Sequence, residues 1–302
     1  MPTSNFAHSA CLTEGKAPLQ ALNHQSNSVI GIFDSGAGGL SVLRAVRQTR
    51  PDLDILYVAD QAHVPYGPRP LEQVRGFAIA ITEYLLAKGA GLIVVACNAA
   101  SAAALYALRE TFPSVPFVGM EPALKPAANL SNSGTVGVLA TPATFQGELY
   151  ASVLERFAAS VKVLTSTCPG LVQQIEAGDL DGPETRAILE ESLRHMLAEG
   201  ADTIVLGCTH YPFVIPLIQS IAGAGVSVID PSPAVARQVD RMLSEKITGT
   251  SPRSPLGRIN LYTTGDAIKF AGLSAALLGE SIPTGSLAWN EKAAERGEGV
   301  SF

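Results

Sequence analysis

The sequence predicts an α/β protein made of two similar doubly wound parallel-sheet domains related by a pseudo-two-fold axis. Three observations carry this expectation. From Val29 onward, short runs of Val, Ile and Leu alternate with amphipathic stretches, the pattern of βαβ units. The runs are continuously apolar, as in strands buried on both faces. The chain also repeats itself at an offset of 111 residues. The run from Gly89 to Asn98 (GAGLIVVACN) aligns with that from Gly200 to Thr209 (GADTIVLGCT), with five of ten positions identical. Two such units facing each other bring their strand C-termini, where ligands bind in this architecture, to one crevice. The active site is therefore expected in the cleft between them.

Taken in order, residues 1–28 are polar and aperiodic and read as a disordered tail carrying Cys11. Strands are expected at 29–33, 54–59, 91–96, 115–119, 135–139, 161–165, 202–207, 226–229 and 258–263. Between the second and third, Leu71, Val74, Phe77, Ala78, Ile81 and Leu85 form one apolar helical stripe. Gly89 then stands as the residue past the helix end. The stretch 184–199 repeats that plan through Leu189, Leu193, Met196 and Leu197, with Gly200 after it. Residues 247–257 read as a surface loop, and 286–302 as a frayed C-terminal tail.

Composition narrows the class of partner. Of 302 residues 47% are hydrophobic and 16% charged, enough for a sizeable core. The net charge is −6, with no Lys/Arg run to neutralise a phosphate backbone, so no nucleic acid is expected as partner. Four cysteines (Cys11, Cys97, Cys168, Cys208) are too few and scattered for a disulfide framework, which fits a reducing, cytoplasmic setting. The first residues lack a basic segment followed by an apolar one. No run of 18 apolar residues exists, so no membrane span is expected.

The chemistry centres on Cys97 and Cys208. Each follows an apolar strand at an equivalent position of the repeat, in Cys97-Asn98-Ala99-Ala100-Ser101 and Cys208-Thr209-His210-Tyr211-Pro212. A Cys at a strand end beside a helix N-terminus meets backbone N–H groups and a positive dipole end. Both are expected to lower its pKa below the usual ~8.5. Two thiols on opposite sides of one carbon have a definite use. One removes a proton from one face, the other donates a proton to the opposite face, and the stereocentre inverts. The α-carbon of an amino acid is such a centre, provided that the site excludes water and stabilises the carbanion.

Three further segments support the pair. Asp34-Ser35-Gly36-Ala37-Gly38-Gly39-Leu40-Ser41 follows the first strand and reads as an anion-binding turn, not a dinucleotide fingerprint, since Ser41 occupies the third Gly position. Asp34 is placed to polarise a thiol or orient an ammonium group. Val64-Pro65-Tyr66-Gly67 reads on composition as a plain loop, although a stiff turn there can offer a phenol and a backbone N–H to a carboxylate. His210 can act as charge partner to Cys208. His63 and His195 have no such context, and spacing alone makes Glu176 an ordinary helix-end carboxylate. The competing readings are weaker. A zinc site of Cys97, Cys208 and His210 is an allowed ligand set but cramped within one Cys-x-His triplet. A two-lobed solute-binding protein needs no paired thiols, and Lys125 has no phosphate cup around it to suit a pyridoxal enzyme.

The motifs GIFDSGAGGLSVLR, VPYG, VVACNAASA, Glu121-Pro122 and GCTHYP, with the Glu176 segment, recur in order over about residues 29–280. As a set they resemble the bacterial glutamate racemases of the aspartate/glutamate racemase superfamily. The resemblance implies cofactor-free interconversion of L- and D-glutamate, with no metal, supplying D-glutamate for peptidoglycan synthesis; a racemase of aspartate or another small acidic amino acid is the alternative. It further implies Cys97 and Cys208 as the acid/base pair, with Asp34, Glu176 and His210 as supporting groups. Substrate contacts are implied for Asp34, Ser35, Tyr66, Gly67, Asn98, Ala99, Thr141, Thr144, Thr209 and His210. Ala99 stands where the family usually has Thr, which removes a hydroxyl contact but keeps the backbone N–H. The implied domains are 29–123 plus 234–285 and 124–233, and the implied assembly is a homodimer.

Overall fold

A computed structural model describes residues 11–15, 29–157, 161–246 and 256–290. The strands are β1 (Cys11–Glu14), β2 (Val29–Asp34), β3 (Asp54–Ala59), β4 (Leu92–Val95), β5 (Phe117–Gly119), β6 (Thr135–Ala140), β7 (Lys162–Ser166), β8 (Thr203–Gly207), β9 (Ser227–Ile229), β10 (Ile259–Thr263) and β11 (Thr284–Asn290). The helices are α1 (Leu40–Thr49), α2 (Leu71–Ala87), α3 (Asn98–Thr111), α4 (Leu124–Leu130), α5 (Pro142–Gln146), α6 (Glu148–Phe157), α7 (Leu171–Glu176), α8 (Pro183–Ala198), α9 (Ile215–Ala222), α10 (Ser232–Lys246) and α11 (Ala267–Leu278), with a 3₁₀ turn at Tyr211–Val214.

Every strand expected from an apolar run is present, because each run is long enough to cross a buried sheet and ends at a residue that turns. One sheet has the order β1-β11-β10-β3-β2-β4-β5, the other β7-β6-β8-β9. Among the described residues, all pairings are parallel except β1 on β11. The order β3-β2-β4-β5 in the first sheet matches β7-β6-β8-β9 in the second, so the repeat in the sequence is a repeat in topology. Central strands β2 and β8 are buried at every position, whereas edge strand β7 is half-exposed. Gly31 and Gly137 serve the same purpose in the two units. A Cβ at Gly31 would press on Leu85 of α2, at 3.0 Å, and one at Gly137 on Met196 of α8, at 2.6 Å. Each glycine thus lets the crossover helix lie close on its strand.

Helices cover both faces of the first sheet. Val74, Ile81 and Leu85 of α2 and Ala100 and Leu105 of α3 pack with Phe33, Leu56 and Val58 on one face. On the other, Leu40 and Leu43 of α1, Val239 of α10 and Phe270 of α11 pack with Ile30, Ile32 and Ile55. That second cluster continues without a break into the other unit through Leu171, Leu189, Leu193 and Ile204. The glycines expected past α2 and α8 have positive φ, 86° at Gly89 and 80° at Gly200, the conformation that ends a helix at little steric cost.

Two expectations fail at the chain ends. Cys11–Glu14, read as part of a disordered tail, is a strand at the edge of the first sheet. Residues 286–290, read as frayed, belong to β11, which pairs with β10 on one side and β1 on the other. β1 has only four residues, and β11 mixes Thr, Gly, Ser and Asn with Leu, Ala and Trp, so neither has a long apolar run to announce it; each is held by its neighbour's ladder. Residues 1–10, 16–28, 158–160, 247–255 and 291–302 lie outside the described residues. Among the described residues, no helix is long and apolar enough to cross a membrane.

Candidate active site

The strand orders place the C-terminal ends of β2 and β4, and of β6 and β8, on one crevice of about 280 Å³. Such ends flank the point where strand order reverses, which is where open α/β sheets bind ligands. Cys97 follows β4 and Cys208 follows β8, and both sulfurs' residues line this crevice. Ser35, Tyr66, Gly67, Asn98, Ala99, Thr141, Thr209 and His210 line it too. Asp34, Thr144 and Glu176 do not; each stands one step behind a residue that does.

The surroundings of the two sulfurs differ. Cys97 is the N-cap of α3, its Sγ accepting the Ala100 N–H at 3.5 Å, with Ser35 Oγ 3.9 Å away. The thiol was expected to be acidified by that helix end. Instead burial pushes it up, the Asp34 carboxylate adds to the rise, and the N–H groups do not offset them. Desolvation of a thiolate costs more here than one helix end returns. Cys208 caps no α-helix: a 3₁₀ turn follows it, and its Sγ lies 3.7 Å from His210 Nδ1. His210 Nε2 is 2.6 Å from Glu176 Oε1. Burial disfavours the imidazolium, but the Cys208 sulfur and the Glu176 carboxylate at its two nitrogens raise His210 well above its ordinary value. Burial likewise disfavours the Glu176 carboxylate, yet His210, the Ala37 N–H and Gln61 hold it below its usual range.

The Gly-rich turn binds an anion, but that anion is internal. Ala37 N–H donates to Glu176 Oε1 at 2.6 Å, and Gln61 Nε2 donates to Oε2 at 2.8 Å. Asp34 receives the Gly36 N–H at 2.7 Å and the Thr209 hydroxyl at 2.8 Å. Burial raises its carboxyl, only partly offset by His210 and these donors. Asp34 therefore acts through Ser35 and Thr209. Close approach explains the glycines: a Cβ at Gly36 would collide with Glu176 Oε1, and one at Gly38 with His210 Nδ1 and Thr209 Oγ1. Gly38→Ala is expected to displace the imidazole and lower kcat about 10²-fold while thermal unfolding stays cooperative. Wild-type kcat in that variant would show that the imidazole's position is not critical.

Other placements refine the sequence reading. The Tyr66 hydroxyl, expected to face a substrate carboxylate, donates instead to Asp60 at 2.6 Å, so the turn presents the ring, Gly67 and Pro65 to the crevice. Thr144 holds Thr141 through their hydroxyls, 3.0 Å apart. His195 is exposed on α8, whereas His63, read as lacking context, meets the Asp60 carboxylate at 2.9 Å. Val172 lines the crevice unannounced. It sits four residues before Glu176 on the same face of α7, and an isolated valine carries no sequence signal. Asn98 has both its amide ends buried with no hydrogen-bond partner among the described residues. Among the described residues no Lys or Arg lines the crevice, so an anionic ligand would meet hydroxyls, N–H groups, this amide and the His210 imidazolium. No cluster of three or more His, Cys, Asp or Glu arranged to hold a metal ion occurs among the described residues.

Residues 39–239 match the family described as Asp/Glu/Hydantoin racemase. A glutamate racemase of Ectopseudomonas mendocina is 49% identical over 258 residues, 85% of this chain and 97% of that one. The crystal structure of a Bacillus anthracis glutamate racemase superposes with a TM-score of 0.78 at 32% identity, covering 85% of this chain and 96% of the other. An Escherichia coli glutamate racemase, solved with L-glutamate and the activator UDP-MurNAc-ala, superposes with a TM-score of 0.75 at 30% identity, covering 87% and 98%. Such likeness over nearly the whole length of the relatives, on top of a duplicated unit with a thiol at each equivalent strand end, makes this chain a member of the Asp/Glu/hydantoin racemase family of isomerases.

Proposed function

We propose that the chain interconverts L- and D-glutamate without a cofactor by transferring protons between two thiols, supplying D-glutamate for peptidoglycan synthesis. The observation that carries this is the lining of one crevice by Cys97 and Cys208 from equivalent ends of two repeated units. The deprotonated sulfur takes the α-proton from one face and becomes a thiol, while the opposite thiol gives up its proton to the other face. Charge and atoms balance, and the enzyme is left with its protonation states exchanged, ready for the reverse reaction. The names of the relatives, and the L-glutamate in the Escherichia coli structure, support glutamate as the substrate.

In this reading Cys97 rests as the thiol, since burial and Asp34 disfavour its charge. His210, held by Glu176, is the charge partner of Cys208. Asn98 supplies a donor to the substrate carboxylate and an acceptor to its ammonium, the two functions that its unpartnered amide offers. Ser35, Gly67, Ala99, Thr141 and Thr209 complete the pocket; Asp34 holds Ser35 and Thr209 in place, and Thr144 holds Thr141.

Incubating the purified chain with L-glutamate, without added cofactor, should give decay of the circular-dichroism signal to zero and entry of solvent deuterium at Cα. Decay with L-aspartate but not with L-glutamate would transfer the reading to the smaller acid. Asn98→Ala is a sharper check of the pocket. Removing a buried, unpartnered amide is expected to leave stability unchanged or raise it by roughly 1 kcal/mol. At the same time KM for glutamate should rise at least about tenfold. A less stable variant with wild-type KM would place the amide in the fold rather than in the site.

A further inference from the structure

The loop after β3 contains a buried carboxylate that the proton-transfer scheme does not use. Asp60 is fully buried, and four side chains converge on it: Tyr66 Oη at 2.6 Å, Thr264 Oγ1 at 2.7 Å, Trp289 Nε1 at 2.8 Å and His63 Nδ1 at 2.9 Å. A carboxylate offers about four lone-pair sites, so this one is saturated. The rings that carry three of these donors pack around Phe77. Its centroid lies 3.9 Å from that of His63, 5.5 Å from that of Trp289 and 5.6 Å from that of Tyr66. Their polar tips consequently have little freedom to turn away from Asp60.

The carboxylate joins parts of the molecule that are distant in sequence. Trp289 belongs to β11, where it pairs with Leu12 of β1 at the sheet edge. Tyr66 lines the crevice, and its neighbour Gly67 accepts the Ala143 N–H of the second unit at 3.0 Å. The contacts run without a gap from the edge strands, through the indole N–H, Asp60 and the phenol, to the seam between the two units.

We propose that Asp60 and Trp289 are positioning residues for the substrate pocket: the β1/β11 edge pair, acting through the indole N–H and the Asp60 carboxylate, sets where Tyr66 and Gly67 stand against the second unit. The proposal rests on the crevice being the glutamate site. It predicts an effect on binding rather than on proton transfer, because the hydrogen bonds of the relay converge on Asp60, whereas those of Cys97, Cys208 and His210 run to Ser35, Ala100 and Glu176 and between Cys208 and His210.

The test uses the full chain with Trp289→Phe, which keeps the ring and removes the N–H, and Tyr66→Phe, which removes only the hydroxyl. Trp289→Phe should raise KM for L-glutamate about tenfold, the scale of one hydrogen bond to a charged group, with kcat little changed. A merely structural loss would lower the amount of active enzyme and leave KM alone. Trp289 is the sole tryptophan of the chain, so indole emission reports on it directly and needs no ligand. Emission of the ligand-free protein should shift in Tyr66→Phe, although the hydroxyl reaches the indole only through Asp60. Wild-type KM in Trp289→Phe, or unmoved emission in Tyr66→Phe, overturns the proposal. If the wild type fails to racemise glutamate, the substrate reading falls and the emission measurement alone decides on the relay.

Discussion

Replacing Cys97 or Cys208 is expected to lower racemisation by at least about 10³-fold, since each change removes one of two general acid–base partners. The cleaner substitution at 97 is Cys97→Ser. Alanine would also remove the N-cap acceptor for the Ala100 N–H, at a cost of about 0.5–2 kcal/mol that confuses folding with chemistry. Serine is a good N-cap, yet its hydroxyl is far too weak an acid to serve as the base, so Cys97→Ser should fold at least as well as the wild type and not racemise. At 208 no helix is capped, and Cys208→Ala is sufficient. The two variants should then divide the half-reactions. Each retains one sulfur facing one side of the α-carbon, so in deuterated water each should exchange the α-proton of one enantiomer only, and the two should choose opposite enantiomers. Racemisation at the wild-type rate in either, or exchange of the same enantiomer in both, would refute the two-thiol scheme.

Glu176 carries the second large effect. Removing one partner of a buried ion pair leaves the other charge uncompensated, typically at about 3–5 kcal/mol. Glu176→Ala would strand His210, the Ala37 N–H and the Gln61 amide together, and should be destabilised on that scale. Glu176→Gln keeps an acceptor for the imidazole without the charge; it should recover much of the stability and little of the activity. The pH dependence has a definite sign. The folded pKa of His210 lies above 6.5, so its contribution to stability is complete below that pH and fades as pH rises through the raised value. That of Glu176 lies below 4.5, so its contribution is complete above that pH and fades as pH falls through the lowered value. The stability difference between the wild type and Glu176→Gln should accordingly be flat from pH 4.5 to 6.5 and shrink on either side. A difference that instead stays flat above pH 6.5 would mean that His210 is neutral in the fold, since the imidazole would then bind no proton in either state.

The nine apolar strands and the duplication were legible because burial on both faces leaves a mark in composition: a β2 or β8 cannot be written without Val, Ile and Leu. The paired cysteines were legible because the repeat aligns them. Glu176 was not legible from its own neighbours, Gln174, Ile175 and Ala177, which describe any helix end. Its partner His210 stands 34 residues away, and only the packing of α7 under the Gly-rich turn brings them to 2.6 Å. Asp60 and His63 likewise carry no sequence signal of their own, and Trp289, over 220 residues on, closes their network. The helix end beside Cys97 was legible too, but its effect on the thiol was misjudged, because the burial that outweighs it is a property of the closed crevice.

What the sequence determined by itself is the inventory and its symmetry: parallel strands, crossover helices, two equivalent thiols, and glycines where backbone must come close. Those follow from local chemistry, since periodicity, propensity and the repeat act within a few turns of chain. The tertiary structure alone decided which charges meet and which are hidden from water. It made Glu176 the occupant of the Gly-rich turn, turned the Tyr66 hydroxyl away from the crevice toward Asp60, and brought the chain ends in as paired strands at the sheet edge. The physical reason is that electrostatic and hydrogen-bond energies depend on distance and dielectric, and both are set by what packs around a group after folding.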